Sequence, residues 1–240
     1  MDHAYKGSTH QSEALLEIEF HEAGVSFEGR QALHPVSLAL REHRIGIIGL
    51  NGSGKTTFAR LINGLTKPTT GQVRVNGHDT ATETQAVMAE AGFVFQVPQN
   101  QIILPILKDD IALGLKARGT PKADCEAKTF AALSRLGIEH LAHRRAHELS
   151  GGELQLAALA AVLATEPSMV ILDEPTNQLD LKNRAIVTGA IASLKENVIV
   201  ISHDLDLIAG FDRALLFGEG HLIEDGRPAT VIDRYRSLNL

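Results

Sequence analysis

The chain has 240 residues, 44% hydrophobic and 22% charged, which is enough apolar surface to bury one sizeable core or a core carrying a smaller subdomain. A formal net charge of −6 excludes a general attraction to phosphate backbones, so no nucleic-acid partner is expected and any bound anion must be captured by a local site. A single cysteine, Cys125, excludes an intrachain disulfide and removes any need for an oxidising compartment.

Residues 1–13 are polar, lack the apolar stretch of a secretion signal and read as the mobile tail of a cytoplasmic protein; residues 14–240 read as one domain. No run approaches the ~18 consecutive apolar residues of a membrane helix, so work at a membrane would need partners. Strands are predicted at 15–20 and 44–48. The second runs straight into Gly-Leu-Asn-Gly-Ser-Gly-Lys-Thr-Thr at 49–57 and then into a helix that Gly64 can close. Alternation over 72–75 meets Asn76-Gly77, a two-residue hairpin signal, which predicts an antiparallel patch beside the main sheet. Another short apolar strand is predicted at 92–96.

From 97 to 147, Pro98, Pro105 and Pro121 punctuate helically spaced segments at 106–117 and 122–136, so this stretch reads as a helical insertion between core segments 14–96 and 148–240. Beyond it the pattern predicts a helix at 152–164, a strand at 169–172, a helix at 185–194 and a strand at 198–201. Short strands follow at 214–217 and 221–224. Apolar strands without polar alternation, joined through helices, predict an α/β fold with a central, mostly parallel sheet covered on both faces.

Gly49, Gly54, Lys55 and Thr56 match the spacing G-x-x-x-x-G-K-[ST] of a phosphate-binding loop. Around Leu50, Asn51, Gly52 and Ser53 the glycines free the backbone. Successive amides, through Thr57, can then converge on a phosphate at the positive end of the following helix. Lys55 would reach the β and γ phosphates of ATP and the Thr56 hydroxyl would bind Mg²⁺. The apolar strand at 169–172 ends in Asp173-Glu174-Pro175, which places two carboxylates at the carboxyl edge of the sheet, where open α/β folds bind ligands. Asp173 would hold Mg²⁺ through its water shell, and Glu174 would polarise the attacking water.

Leu149-Ser150-Gly151-Gly152-Glu153-Leu154-Gln155 resembles the LSGGQ signature of ABC ATPases, and other positions match that family in order over about residues 15–230. The resemblance implies a P-loop NTPase fold with the helical subdomain inserted, and a role for each matching residue. Ser150, Gly151 and Gly152 would form a second anion site. Phe27 would stack on adenine, and Gln96 would link the nucleotide's Mg²⁺ and water to the helical subdomain. Asp180, in Leu179-Asp180, would belong to the D-loop, and His203 would be the switch histidine at the γ phosphate. A head-to-tail homodimer would sandwich each ATP between the phosphate loop of one copy and the signature of the other. Three departures stand out: His43-Arg44 where many relatives have Gly-Glu, Glu153 for the usual Gln, and Leu156 where Arg is common.

The stretch Val94-Phe95-Gln96-Val97-Pro98-Gln99-Asn100-Gln101 is similar to VFQNPDNQ of ATPases from energy-coupling factor (ECF) importers, and Asp109-Asp110-Ile111-Ala112-Leu113-Gly114 to their EEDVAFG. This resemblance implies a peripheral ATPase at the cytoplasmic face of the membrane. Its partners would be an integral membrane coupling subunit and a substrate-binding membrane subunit. The cargo would be a vitamin, biotin first, or alternatively cobalt or nickel. A soluble ABC ATPase of an assembly or repair complex is the competing class.

Overall fold

The computed structural model describes residues 16–238, so the expected tail at 1–13 and Leu15, which opens the first predicted strand, lie outside the described residues. The first half runs β1 (Ile18–Phe27), β2 (Arg30–Leu40), β3 (Arg44–Gly49), α1 (Lys55–Ile62), β4 (Thr70–Val75), β5 (His78–Asp79), α2 (Thr84–Glu90), β6 (Ala91–Val94) and α3 (Leu107–Ala117). The second runs α4 (Lys122–Arg135), α5 (Gly151–Leu163), β7 (Met169–Asp173), α6 (Leu181–Ala192), β8 (Asn197–Ile201), α7 (Leu205–Ala209), β9 (Arg213–Gly218), β10 (His221–Gly226) and α8 (Pro228–Leu238).

Six strands form one sheet in the order β10-β9-β3-β8-β7-β6, parallel throughout except for β10 at one edge. The parallel strands read as unbroken apolar runs because they are buried on both faces. Their side chains still alternate, and the alternation sorts them into two cores. Ile45, Ile47, Ile171 and Ile199 pack toward α1 and the second sheet, whereas Ile48, Val170, Leu172 and Val198 pack toward α5 and the helices of the 97–147 segment. α5, lying under the sheet, is buried on nearly every face and shows no polar stripe.

The second sheet is antiparallel, in the order β2-β1-β4-β5. Asn76 and Gly77, at φ 49° and 85°, make the predicted hairpin turn between β4 and β5. β1 extends to Phe27, past the predicted end at 20, because register shifts at Ala23 and Val25 absorb the break in alternation. The sequence pattern does not reveal β2. Its buried residues Leu33, Val36 and Leu40 are unevenly spaced around Pro35, and only the bulged pairing with β1 aligns them.

α6 starts at Leu181, earlier than the predicted 185, because Asp180 caps it by accepting from Asn183 N at 2.7 Å. Its other end explains Arg44. That guanidinium donates to the carbonyls of Ile191, Ala192 and Leu194 at 3.1, 3.0 and 2.9 Å, which places a cation on the last carbonyls of the helix. Leu156 is equally accounted for: it is 4% exposed and packs in the core that α5 shares with the sheet.

Candidate active site

β3, β7 and β8 end at one edge of the sheet and deliver Gly49, Asp173 and the turn carrying His203 to it. Gly49 sits at φ 145°, and a Cβ there would stand 2.2 Å from the Phe217 carbonyl oxygen, so no other residue fits this exit from the strand. α1 begins without a side-chain cap, and its first bond to the loop runs from Phe58 N to Gly54 O at 2.9 Å. The amides of its first turn are therefore left for a ligand at the positive end of the helix. Ser53 Oγ, buried in the same loop, has no hydrogen-bond partner among the described residues.

A cavity of about 740 Å³ opens over this turn, lined by Gly52, Ser53, Gly54, Lys55, Thr56 and Thr57, with Asn51, Gln96, Asp173 and Glu174 around it and Phe27 on its wall. Phe27 is 54% exposed, a free ring face beside the phosphate loop. Lys55 is buried and donates to the carbonyls of Gly49 at 2.7 Å and Leu50 at 2.8 Å, so its ammonium stays at the loop. Burial lowers its pKa, a pull opposed by the charges of Glu174 and Asp173. Leu50 itself is exposed and does not line this cavity; it contributes its carbonyl.

Asp173 and Glu174 are both buried, and burial raises both carboxyls above the usual carboxylate range. Thr56 Oγ1 donates to Asp173, 3.2 and 3.0 Å from its two oxygens. A hydroxyl and a carboxylate converging beside buried negative charge suit a hard divalent cation. Among the described residues no group of three or more His, Cys, Asp or Glu could hold a metal. Glu174 takes φ 51°, uncommon for a non-glycine residue, and its carboxylate meets His203. His203 Nε2 lies 3.0 Å from Glu174 Oε1 and 3.1 Å from Asn51 Oδ1.

Ser150, Gly151, Gly152 and Asp180 are not brought to this cavity. Ser150 instead caps α5 in a reciprocal box, its Oγ accepting from Glu153 N at 3.3 Å while Glu153 Oε2 accepts from Ser150 N at 2.7 Å. The amide of Ser150 draws Glu153 below its usual range, so the residue that departs from the signature Gln does ordinary capping work. Gly152 lets α5 meet α6: a Cβ there would lie 2.5 Å from Asn183 Oδ1.

Sequence reasoning missed the opposite wall of the cavity, made by Arg30, Gln31 and Ala32 of β2 and by Glu219-Gly220. The latter turn pins the phosphate loop, with Gly220 N donating to Ser53 O at 3.1 Å and His34 N donating to Gly220 O at 2.8 Å. The Gly218-Glu219-Gly220 run between two predicted short strands was the available signal.

Residues 33–177 match the family described as ABC transporter. The chain is similar to the biotin transport ATP-binding protein BioM of Rhizobium etli, 65% identical over 223 residues that cover 93% of this chain and 99% of that protein. It is 38% identical to the energy-coupling factor transporter ATP-binding protein EcfA1 of Halalkalibacterium halodurans, covering 81% of this chain and 72% of the relative. Among solved structures it resembles a bacterial ABC transporter cassette determined as a dimer, with a TM-score of 0.77, 25% identity, and coverage of 88% of this chain and 98% of that one. No described helix is long and apolar enough to cross a membrane.

Proposed function

Since the chain belongs to the ABC transporter ATP-binding family, we propose that it is the motor subunit of an ECF-type importer whose cargo is biotin. It binds ATP and couples its hydrolysis to transport, as that family does. Identity of 65% to a biotin transport ATPase over nearly the full length of both chains is the observation that carries the cargo reading, ahead of cobalt or nickel. Nothing at the nucleotide site could carry it, because the motor does not touch the cargo.

In this reading the phosphate loop and the first turn of α1 hold the triphosphate, Lys55 neutralises its outer charge, and Thr56, Asp173 and Gln96 hold Mg²⁺. The ion's contribution is to withdraw charge from the phosphates. Glu174 accepts a proton from the attacking water as its oxygen bonds to the γ phosphorus. The bond to the β–γ bridging oxygen breaks, and ADP and inorganic phosphate leave. His203 orients the Glu174 carboxylate and marks the γ phosphate. Ser150 and Asp180 lie outside the cavity of their own copy, which supports their serving the site of a second copy in a head-to-tail dimer. Loss of the γ phosphate then removes the bridging contacts and lets the copies part. The motor sits at the cytoplasmic face of the membrane, and two integral subunits, one coupling and one cargo-binding, complete the machine.

Uptake of labelled biotin by cells lacking the gene for this chain tests the proposal. Wild type should restore uptake and Glu174→Gln should not. Full uptake without the chain, or equal rescue by the variant, removes the assignment.

A further inference from the structure

Arg184 lines no part of the nucleotide cavity, yet its guanidinium holds Asp204 at two points, a hydrogen bond from Nε to Oδ2 at 2.7 Å and an ion-pair contact between Nη2 and Oδ1 at 2.6 Å. Asp204 follows His203 directly. Its side chain is 7% exposed and also caps α7 by accepting from Leu207 N at 3.3 Å. On the other side, Arg184 N donates to Asp180 O at 2.8 Å, one turn from the start of α6. The intervening chain from Glu174 is tight, with Asn177 N bonded to Glu174 O at 3.1 Å and Leu179 N to Thr176 O at 3.4 Å. These contacts close a ring that passes from Glu174 along the loop to Asp180, across Arg184 and Asp204 to His203, and back to Glu174 at 3.0 Å. The ring surrounds a second cavity of about 280 Å³ whose lining includes Glu174, Leu179, Arg184, His203 and Asp204.

We propose that Arg184 is a positioning residue for hydrolysis: through Asp204 it ties the placement of His203 beside Glu174 to the position of the 176–180 loop. The proposal deepens the functional reading and rests on Glu174 and His203 acting together at the γ phosphate. A two-pronged guanidinium–carboxylate pair fixes direction as well as distance, so it passes a displacement of α6 to the histidine turn where a single flexible contact would absorb it. A partner copy pressing on the exposed Asp180 would thereby complete the catalytic pair only when the dimer is closed.

Steady-state ATP hydrolysis by the full chain tests this, with kcat and KM determined separately for wild type, Arg184→Gln, Arg184→Lys and Asp204→Asn. Arg184→Gln should lower kcat ~10–100-fold, the scale of a misplacement of about 1 Å, and leave KM for ATP within about threefold, because the nucleotide cavity is untouched. Arg184→Lys should recover little, since it restores charge without the fork. Adding Arg184→Gln to Glu174→Gln should cost almost nothing more, because the two act on one step. A kcat within twofold of wild type for both Arg184→Gln and Asp204→Asn overturns the proposal, as does full rescue by lysine or an additive loss in the double variant. If Arg184→Gln does not fold, Asp204→Asn and Arg184→Lys carry the same comparison. Unimpaired hydrolysis by Glu174→Gln alone instead sinks the catalytic reading beneath it, and the proposal with it.

Discussion

His203 meets Glu174 twice: its ring nitrogen Nε2 stands 3.0 Å from Oε1, and its backbone amide donates to Oε2 at 3.3 Å. The ring's other neighbour, Asn51 Oδ1 at 3.1 Å, is also an acceptor, so a neutral imidazole here carries its proton on Nε2. Burial, and then the charge of Lys55, lower the His203 pKa, which favours the neutral ring; the ring's hydrogen bond goes to Asn51 Oδ1, and Glu174 Oε1 is a close charged neighbour.

Replacing the acid with its amide separates chemistry from binding. Glu174→Gln should lower kcat by at least ~100-fold, the low end for loss of a general base, while ATP binding persists. With Mg·ATP the variant should elute as a dimer in size-exclusion chromatography. Wild-type turnover in the variant rejects Glu174 as the base.

The pH dependence of kcat/KM should carry an acid limb from the same carboxyl. Burial raises the Glu174 pKa above the 4.5 of an ordinary glutamate side chain, against the opposing pull of the His203 amide and the Lys55 charge. Activity that needs the ionised form is therefore lost as pH falls through that raised value. The limb's midpoint should lie above 4.5 and should vanish from the residual activity of Glu174→Gln.

Stability should move in the opposite sense to activity. A carboxyl whose pKa is raised on folding binds more protons folded than unfolded, so its favourable contribution is complete below the unfolded value and is lost as pH rises through the folded one. At neutral pH the nucleotide-free protein then carries the cost of a buried ionised Glu174. Glu174→Gln should raise Tm, by ~2–4 °C per kcal/mol recovered, and the gain should shrink on acidification. Calorimetry at two pH values decides it, and a lower Tm at neutral pH contradicts the assignment.

Lys55→Ala should weaken ATP binding ~10–100-fold, the loss of charge-assisted bonds of about 1.5–3 kcal/mol. The substitution also frees the carbonyls of Gly49 and Leu50, so the loop loses its internal tie. Titration with a fluorescent nucleotide should show the loss at unchanged far-UV circular dichroism.

Gly152→Ala should destabilise by ~1–3 kcal/mol through overpacking, because the added methyl meets the Asn183 side chain at 2.5–2.8 Å. Adding Asn183→Ala should return part of that loss. Strict additivity of the two changes in urea denaturation would show that the crowding lies elsewhere.

The local parts of the site were legible before any fold was known. Glycine spacing at 49–54, Lys55 and Thr56 behind it, and an apolar strand ending in Asp173-Glu174 are properties of neighbouring residues. β2 was hidden because its burial pattern depends on bulged pairing with β1, and Arg44 was seen only as a departure because its partners lie about 150 residues away. Glu219-Gly220 carried a turn signal, yet its place on the cavity wall depends on β2 crossing beneath it.

The sequence by itself determined the chemistry on offer: an amide-rich turn for phosphate, a lysine and two acids, each marked by short-range spacing that acts through backbone geometry, and a histidine marked by resemblance to a family. Tertiary structure alone decided which of these groups meet. Parallel strands joined by crossover helices bring residues 51, 174 and 203 to one sheet edge, and burial there shifts the proton affinities of Glu174 and His203. The same packing leaves Ser150 and Asp180 outside the lining of the nucleotide cavity, because α5 and α6 are held by the core beneath the sheet and not by the phosphate loop.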